Sequence, residues 1–115
     1  MTQIENEKEL KKAISENQAI ILYFSGDNCS VCKVLKPKIE TEVSKNFPKM
    51  KLFEIKTDIS KEFSSQFSVF SIPTIVVLFD KKEFKRYGRN ISLSLFIEEI
   101  RRIYNLMDGT WKDFY

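Results

Sequence analysis

The amino-acid sequence predicts one α/β domain, residues 1–115, built on a mixed β-sheet with helices on both faces. Two apolar runs, Ala19 to Phe24 and Thr74 to Phe79, lack the polar alternation of half-exposed strands and are typical of strands buried on both sides. A long helical pattern follows the first run, and this order is typical of a right-handed crossover between parallel strands. The length allows one compact core and is too short for two.

The first half of the chain predicts a short helix, a buried strand and a longer helix. Asn6 and Glu9 have the spacing of a capping box, and the amphipathic helix that they begin is expected to end at Asn17. Gly26-Asp27-Asn28 breaks the strand that follows. Pro37 is expected to kink the longer helix. Apolar side chains recur every four residues along that helix and predict about four turns; they are Leu35, Ile39, Val43 and Phe47.

The middle of the chain predicts a second parallel strand and a short helix. Lys51 to Thr57 is interpreted as the strand, and Asp58 or Ser60 can cap the helix that follows it. Gln3 to Glu5 is expected to add a short edge strand. An aromatic stripe runs along the short helix and beyond it, and we interpret it as core rather than as a cofactor site; it consists of Phe63, Phe67 and Phe70.

The last third predicts a hairpin and a closing helix. After the second buried run, Asp80-Lys81-Lys82 makes a turn and Glu83 to Tyr87 returns as the partner strand before Gly88. The closing helix starts at Ser92 or Ser94 and ends near Asp108-Gly109. The aromatic tail beyond it, Thr110 to Tyr115, is expected to pack back on the domain, with docking of a partner as the alternative.

Composition and charge exclude several classes of function. The formal net charge of +3 is mild, and the basic residues occur in pairs within predicted elements rather than in a continuous stripe, so we expect no nucleic-acid binding. The first ten residues contain no apolar stretch of the kind that a secretory signal requires, and the longest apolar runs are too short to span a bilayer. We therefore expect a monomeric, cytoplasmic protein with no membrane partner.

The two cysteines are the strongest functional signal. Cys29 and Cys32 are the only cysteines in the chain, and they lie where the buried strand ends and the long helix begins. The free N–H groups and the dipole at a helix N-terminus favour a thiolate at Cys29, which is the nucleophile that attacks a disulfide. Cys32 follows about one turn later, within reach to resolve the mixed disulfide. The pair predicts a dithiol/disulfide redox centre.

Three other interpretations of the pair stay open. A structural zinc site needs about four ligands, and a chain with two cysteines and no histidine would need a dimer or carboxylates to supply them. Two buried, inert cysteines are the second interpretation. Neither explains why the pair begins a helix after a buried strand. A permanent disulfide is the third, but it closes a very small loop and contributes little in a reducing compartment. We expect no metal and no cofactor.

The order of these features resembles the thioredoxin family over nearly the full length of the chain. The Cys29-Ser30-Val31-Cys32 motif after a buried strand, Pro37 within the helix, Ser71-Ile72-Pro73-Thr74 before a second buried strand and Gly88 after the hairpin occur in the family's order. The resemblance implies a thioredoxin-like fold. It also implies that Pro73 is cis and faces the disulfide, and that Ile72 pairs its backbone with the substrate. The alternative for Pro73 is an ordinary strand-start or turn position.

The chain also departs from the family pattern. Thioredoxins have Trp before the first cysteine and Gly-Pro between the two, whereas Asn28 and Ser30-Val31 stand there in this sequence, which implies a different redox potential. Tyr23 stands where the family has a buried Asp, and Glu54 stands at the place of its partner Lys. We expect Tyr23 either to donate a hydrogen bond to Glu54, which would then deprotonate Cys32, or to fill core space while Glu54 points to solvent.

Together these features predict a thioredoxin-like reductase of protein disulfides. Cys29 is the expected attacking thiolate and Cys32 the resolving thiol, while Ile72 and Pro73 hold the substrate. The expected partners are disulfide-containing protein substrates and a reductase that supplies electrons. The alternative is a redox-inactive or redox-sensing binding module that uses the same fold to present Pro73 and exposed aromatic side chains to a protein partner.

Overall fold

The computed structural model describes residues 1–58 and 65–107. Its strands are β1 (Thr2–Gln3), β2 (Ala19–Ser25), β3 (Lys51–Lys56), β4 (Thr74–Phe79) and β5 (Lys82–Tyr87). Three helices have both ends within the described ranges: α1 (Glu7–Glu16), α2 (Ser30–Asn46) and α3 (Leu93–Leu106).

The strands form one mixed sheet in the order β1-β3-β2-β4-β5. β1, β3 and β2 run parallel, whereas β4 pairs antiparallel with both β2 and β5. All seven residues of β2 and all six of β4 are buried, as expected for the two central strands of a sheet covered on both faces. The predicted α/β class and the predicted mixed sheet are confirmed.

Helices cover the two faces of the sheet because alternate side chains of β2 point in opposite directions. Ile21 and Tyr23 face α2 and α3, where they join a cluster that includes Ile39 and Phe96. Ile20, Leu22 and Phe24 face the opposite side and pack with Leu10 of α1. The site-bearing helix α2 is thus held against the centre of the sheet.

Most predicted element boundaries agree with the structure. Asn6 caps α1 by accepting a hydrogen bond from the Glu9 N–H (2.9 Å), and Ser92 rather than Ser94 caps α3 by accepting from the Leu95 N–H (3.4 Å). The edge strand is Thr2–Gln3, one residue earlier than expected. α2 continues through Pro37 to Asn46. The predicted end of the last helix and the aromatic tail lie outside the described residues.

The aromatic stripe is only partly core. Phe67 packs on Phe24 with 5.7 Å between ring centroids, as predicted, whereas Phe70 is 90% exposed, so its assignment to the core is wrong. The helical spacing that predicted burial ends before Phe70, because residues 69–73 have no helical conformation. Phe63 lies outside the described residues.

Candidate active site

The cysteine pair lies at the junction of β2 and α2. Cys29 and Cys32 form a disulfide with 5.3 Å between their Cα atoms. Cys29 is the N-cap residue of α2, in an extended conformation, and the Cys32 N–H donates a hydrogen bond to the Cys29 sulfur (3.2 Å). The sequence predicted this placement at the start of the long helix.

The two cysteines differ in exposure. Cys29 is partly buried, whereas Cys32 is 3% exposed and belongs to the core cluster between the sheet and α2. A substrate disulfide can therefore approach the Cys29 sulfur more directly than the Cys32 sulfur. The free N–H groups at the start of α2 point toward Cys29, and they stabilise negative charge on a sulfur at that position.

The Ser71-Ile72-Pro73 loop lies at the same edge of the sheet as the cysteines. Phe24 near the end of β2 pairs with Thr74 at the start of β4, so the segment before Thr74 lies next to the segment that leads to Cys29. A Cβ atom placed on Gly26 would lie 2.8 Å from Cδ1 of Ile72, which shows how closely the two loops approach. The Ile72–Pro73 peptide bond is cis, and Pro73 is buried.

Glu54 lies in a buried polar cluster that sequence reasoning did not find. Its side chain is only 5% exposed, and Oε1 accepts a hydrogen bond from the Lys36 ammonium (2.9 Å) while Oε2 accepts one from the Ser25 hydroxyl (2.8 Å). Burial alone would raise the pKa of Glu54, but the hydrogen bonds from Lys36 and Ser25, together with the charges of Lys36 and Lys56, outweigh it and lower the pKa. Glu54 is therefore ionised at neutral pH.

Tyr23 has a different partner from the one predicted. Its hydroxyl donates a 2.6 Å hydrogen bond to the backbone carbonyl of Cys32, and the side chain is fully buried. Burial and the nearby Glu54 charge raise the pKa of Tyr23 to about 12, so the phenol stays protonated and keeps donating. Tyr23 thus fixes the backbone at Cys32.

The expected hydrogen bond between Tyr23 and Glu54 is therefore wrong, and so is the alternative in which Glu54 points to solvent. Lys36 and Ser25 provide the physical reason, because their donors occupy both oxygens of the Glu54 carboxylate, and the Tyr23 hydroxyl donates to the Cys32 carbonyl instead. The available sequence signal was the position of Lys36 one turn after Cys32 and next to Leu35, at the edge of the buried face of α2.

The family model described as thioredoxin matches residues 1–102. The chain belongs to the thioredoxin family. Family membership and the Cys29–Cys32 disulfide together identify the protein as a thiol–disulfide oxidoreductase. The family resemblance drawn from the sequence motifs is confirmed.

Curated relatives and solved structures agree with this assignment. A thioredoxin-like protein of Bacillus subtilis, YdfQ, is 28% identical over 95% of this chain and 96% of its own length. A thioredoxin of Mycoplasmoides gallisepticum is 32% identical over 71% of this chain and 81% of its own. Thioredoxin 1 of Thermosipho africanus is 37% identical, with a TM-score of 0.69 over 77% of this chain and 98% of that one. The fold also matches Trypanosoma brucei brucei thioredoxin, with a TM-score of 0.80, 20% identity and 91% of each chain covered.

None of the helices in the described part of the chain is long and apolar enough to cross a membrane.

Three residues next to the cysteines that depart from the family pattern lie at the surface of the site. Asn28 and Ser30 are exposed, and Val31 is 37% exposed. These three side chains therefore border the approach to the disulfide, whereas the other two departures, Tyr23 and Glu54, are buried.

Proposed function

We propose that this protein reduces disulfides in other proteins through its Cys29–Cys32 pair. The observation that carries the proposal is the placement of Cys29 as the more exposed cysteine and the N-cap of α2, with its sulfur accepting the Cys32 N–H. A helix N-terminus favours the thiolate that begins disulfide exchange.

The proposed reaction has two exchange steps. The Cys29 thiolate attacks one sulfur of the substrate disulfide, forms a mixed disulfide and releases the other substrate sulfur as a thiolate, which takes up a proton. Cys32 then loses its proton and attacks the Cys29 sulfur, which releases the second substrate thiol and forms the Cys29–Cys32 disulfide. Two electrons pass from the protein to the substrate, and an external reductant must return them before the next cycle.

Ile72 and Pro73 are the proposed substrate platform. Their loop lies beside the segment that leads to Cys29, and Ile72 contacts the position of Gly26. We propose that the Ile72 backbone pairs with an extended substrate segment and holds its disulfide at Cys29. The electron donor in the proposal is a partner reductase. The expected single domain, the monomeric state and the cytoplasmic location stay predictions.

An insulin-reduction assay with dithiothreitol as electron source tests the proposal. The wild-type protein is expected to accelerate precipitation of the insulin B chain, and the variant with both cysteines changed to serine is not. A wild-type protein that is as inactive as the double variant would contradict the proposal. That result would favour a binding module, for which the 90% exposed Phe70 beside the Ile72–Pro73 loop would be a contact residue.

The Cys29–Cys32 potential is expected to be less reducing than that of a typical thioredoxin, near the glutaredoxin range of about −200 to −230 mV. Ser30 and Val31 replace the family's Gly-Pro. A shift of about 30 mV in the potential requires only about 1.4 kcal/mol of differential stabilisation of the thiolate. Equilibration with glutathione measures the potential. The Ser30→Gly, Val31→Pro double variant is the matched control and should be more reducing. A wild-type potential at or below about −270 mV would contradict this prediction.

Deprotonation of Cys32 by Glu54 also stays a prediction. The carboxylate is ionised and can accept a proton, but both oxygens already accept hydrogen bonds, and a lowered pKa makes it a weaker base. Glu54→Gln is expected to slow resolution of the mixed disulfide while leaving attack by Cys29 unchanged. Rapid-mixing kinetics separate the two steps. Unchanged resolution from about pH 6 to 9 would remove Glu54 from proton transfer.

A further inference from the structure

Two open grooves flank the cysteine pair and meet at Arg89 and Ile91. The first, of about 390 Å³, is lined by the first turn of α2, including Ser30 and Val31. The second, of about 650 Å³, is lined by the loop that contains Pro73 and by the connection from β5 to α3. Arg89 lines both grooves. It therefore lies beside both segments that contact substrate in the proposed function.

The charges without partners along these grooves are positive. Arg89 is exposed, and within the described residues neither it nor Lys38, which lines the first groove, makes an ion pair or a side-chain hydrogen bond. Glu99 lines the second groove, but it pairs with Lys85 and accepts a hydrogen bond from the Tyr87 hydroxyl. The grooves therefore offer cations to a ligand and no free carboxylate.

The loop before Cys29 does not offset this charge. Asp27 is the carboxylate in that loop, and its Oδ1 lies 2.5 Å from the Lys56 ammonium. The hydrogen bond from Lys56 and the Lys56 charge lower the pKa of Asp27, so the two groups form a neutral pair at pH 7. A second carboxylate, Asp58, lies beside this pair, and the charge of Lys33 acts on Asp27 with the opposite sign. This side of the site thus has balanced charges, and the grooves keep the positive charge of Arg89 and Lys38.

Apolar side chains at the grooves indicate that a polypeptide covers them. Val34 is 58% exposed and Leu95 is 51% exposed, and each lines one of the two grooves. Exposed apolar side chains that border a site with a few fixed charges are typical of a surface that binds another chain. The charge of the surface selects which chains bind, because potentials of opposite sign speed encounter and fix register.

We propose that Arg89, supported by Lys38, selects substrates with an aspartate or glutamate next to the disulfide cysteine. The inference rests on the proposed reductase function, because it names the substrate class of the same site. A guanidinium can bind a carboxylate with two parallel hydrogen bonds, and Arg89 has no internal partner that must first be displaced. Lys38 adds a second positive charge across the first groove.

Two disulfide peptides that differ only in a glutamate or a glutamine beside the cysteine test the inference. The wild-type protein should reduce the glutamate peptide with a kcat/KM about 2- to 5-fold higher than that for the glutamine peptide, the size expected for one exposed ion pair. Arg89→Gln should bring the two peptides to nearly equal values, because the glutamate peptide loses the more. Arg89→Glu should reverse the preference, and about 1 M salt should weaken it in the wild type.

Arg102→Gln is the matched control, since it removes the same charge from an exposed position of α3 that lines neither groove. It should keep the wild-type preference. Equal reduction of both peptides by the wild type, or equal loss of preference in Arg89→Gln and Arg102→Gln, would overturn the role of Arg89 and leave the reductase function standing. A wild-type protein that reduces neither of the two peptides nor insulin would overturn the reductase function and this inference with it.

Discussion

Cys29→Ser is expected to abolish turnover, whereas Cys32→Ser is expected to accumulate a covalent mixed disulfide with substrate. The Cys29 sulfur is the one that the N-terminus of α2 stabilises as a thiolate, so its removal eliminates the first step. Cys32 is 3% exposed and can reach a disulfide only after Cys29 has formed one beside it. Its removal therefore blocks only the second step.

Mass spectrometry after incubation of each reduced variant with a disulfide peptide distinguishes the two roles. Cys32→Ser should gain the mass of one peptide on Cys29, and dithiothreitol should remove it. Cys29→Ser should gain little adduct, because the remaining sulfur is buried. Adduct on Cys32 in Cys29→Ser at the same rate would show that either cysteine can attack, and it would contradict the assigned order.

The sequence predicted those features that are encoded locally. The continuous apolar runs of β2 and β4 and the four-residue spacing on α2 predicted the central sheet and its crossover, because burial on one or both faces requires those patterns. The position of Cys29 followed from the same reasoning, since the motif lies where one pattern ends and the next begins. Local patterns were sufficient for the position of the redox pair.

The features that the sequence did not predict depend on contacts between distant segments. The partners of Glu54 lie on β2 and α2. Only the folded chain shows that Lys36, and not Tyr23, donates a hydrogen bond to the carboxylate. Phe70 lies in a loop, where no periodicity fixes the direction of a side chain. Arg89 lies at both grooves only because the connection after β5 folds beside the first turn of α2.

Lys36→Met is expected to lower the free energy of unfolding by about 2 kcal/mol at pH 7. The substitution leaves the Glu54 carboxylate 5% exposed with Ser25 as its remaining hydrogen-bond donor. Loss of one partner from a fully buried ion pair costs about 3–5 kcal/mol. The expected cost is smaller in this protein because the Lys36 side chain is 33% exposed and Ser25 still donates.

The pH dependence follows from the direction of the Glu54 pKa shift. The folded wild type holds the pKa of Glu54 below its ordinary value of 4.5, so the stabilisation is present above that pH and is lost as the pH falls through the folded pKa. In Lys36→Met the main offset to burial is gone, so the folded-state pKa of Glu54 rises above its wild-type value. The difference in stability between wild type and variant should therefore shrink as the pH falls from the variant's higher pKa through the wild type's lower one.

Urea unfolding of four proteins between about pH 3.5 and 7.5 tests this account. Adding Glu54→Gln to Lys36→Met removes the buried charge, so the double variant should recover part of the lost stability at pH 7. It should also lose the part of the pH dependence that comes from Glu54. Lys38→Met is the matched control, because Lys38 is exposed on the same helix, and its effect should stay within about 0.5 kcal/mol. Equal stability of Lys36→Met and wild type at every pH would show that the Lys36–Glu54 pair does not stabilise the fold.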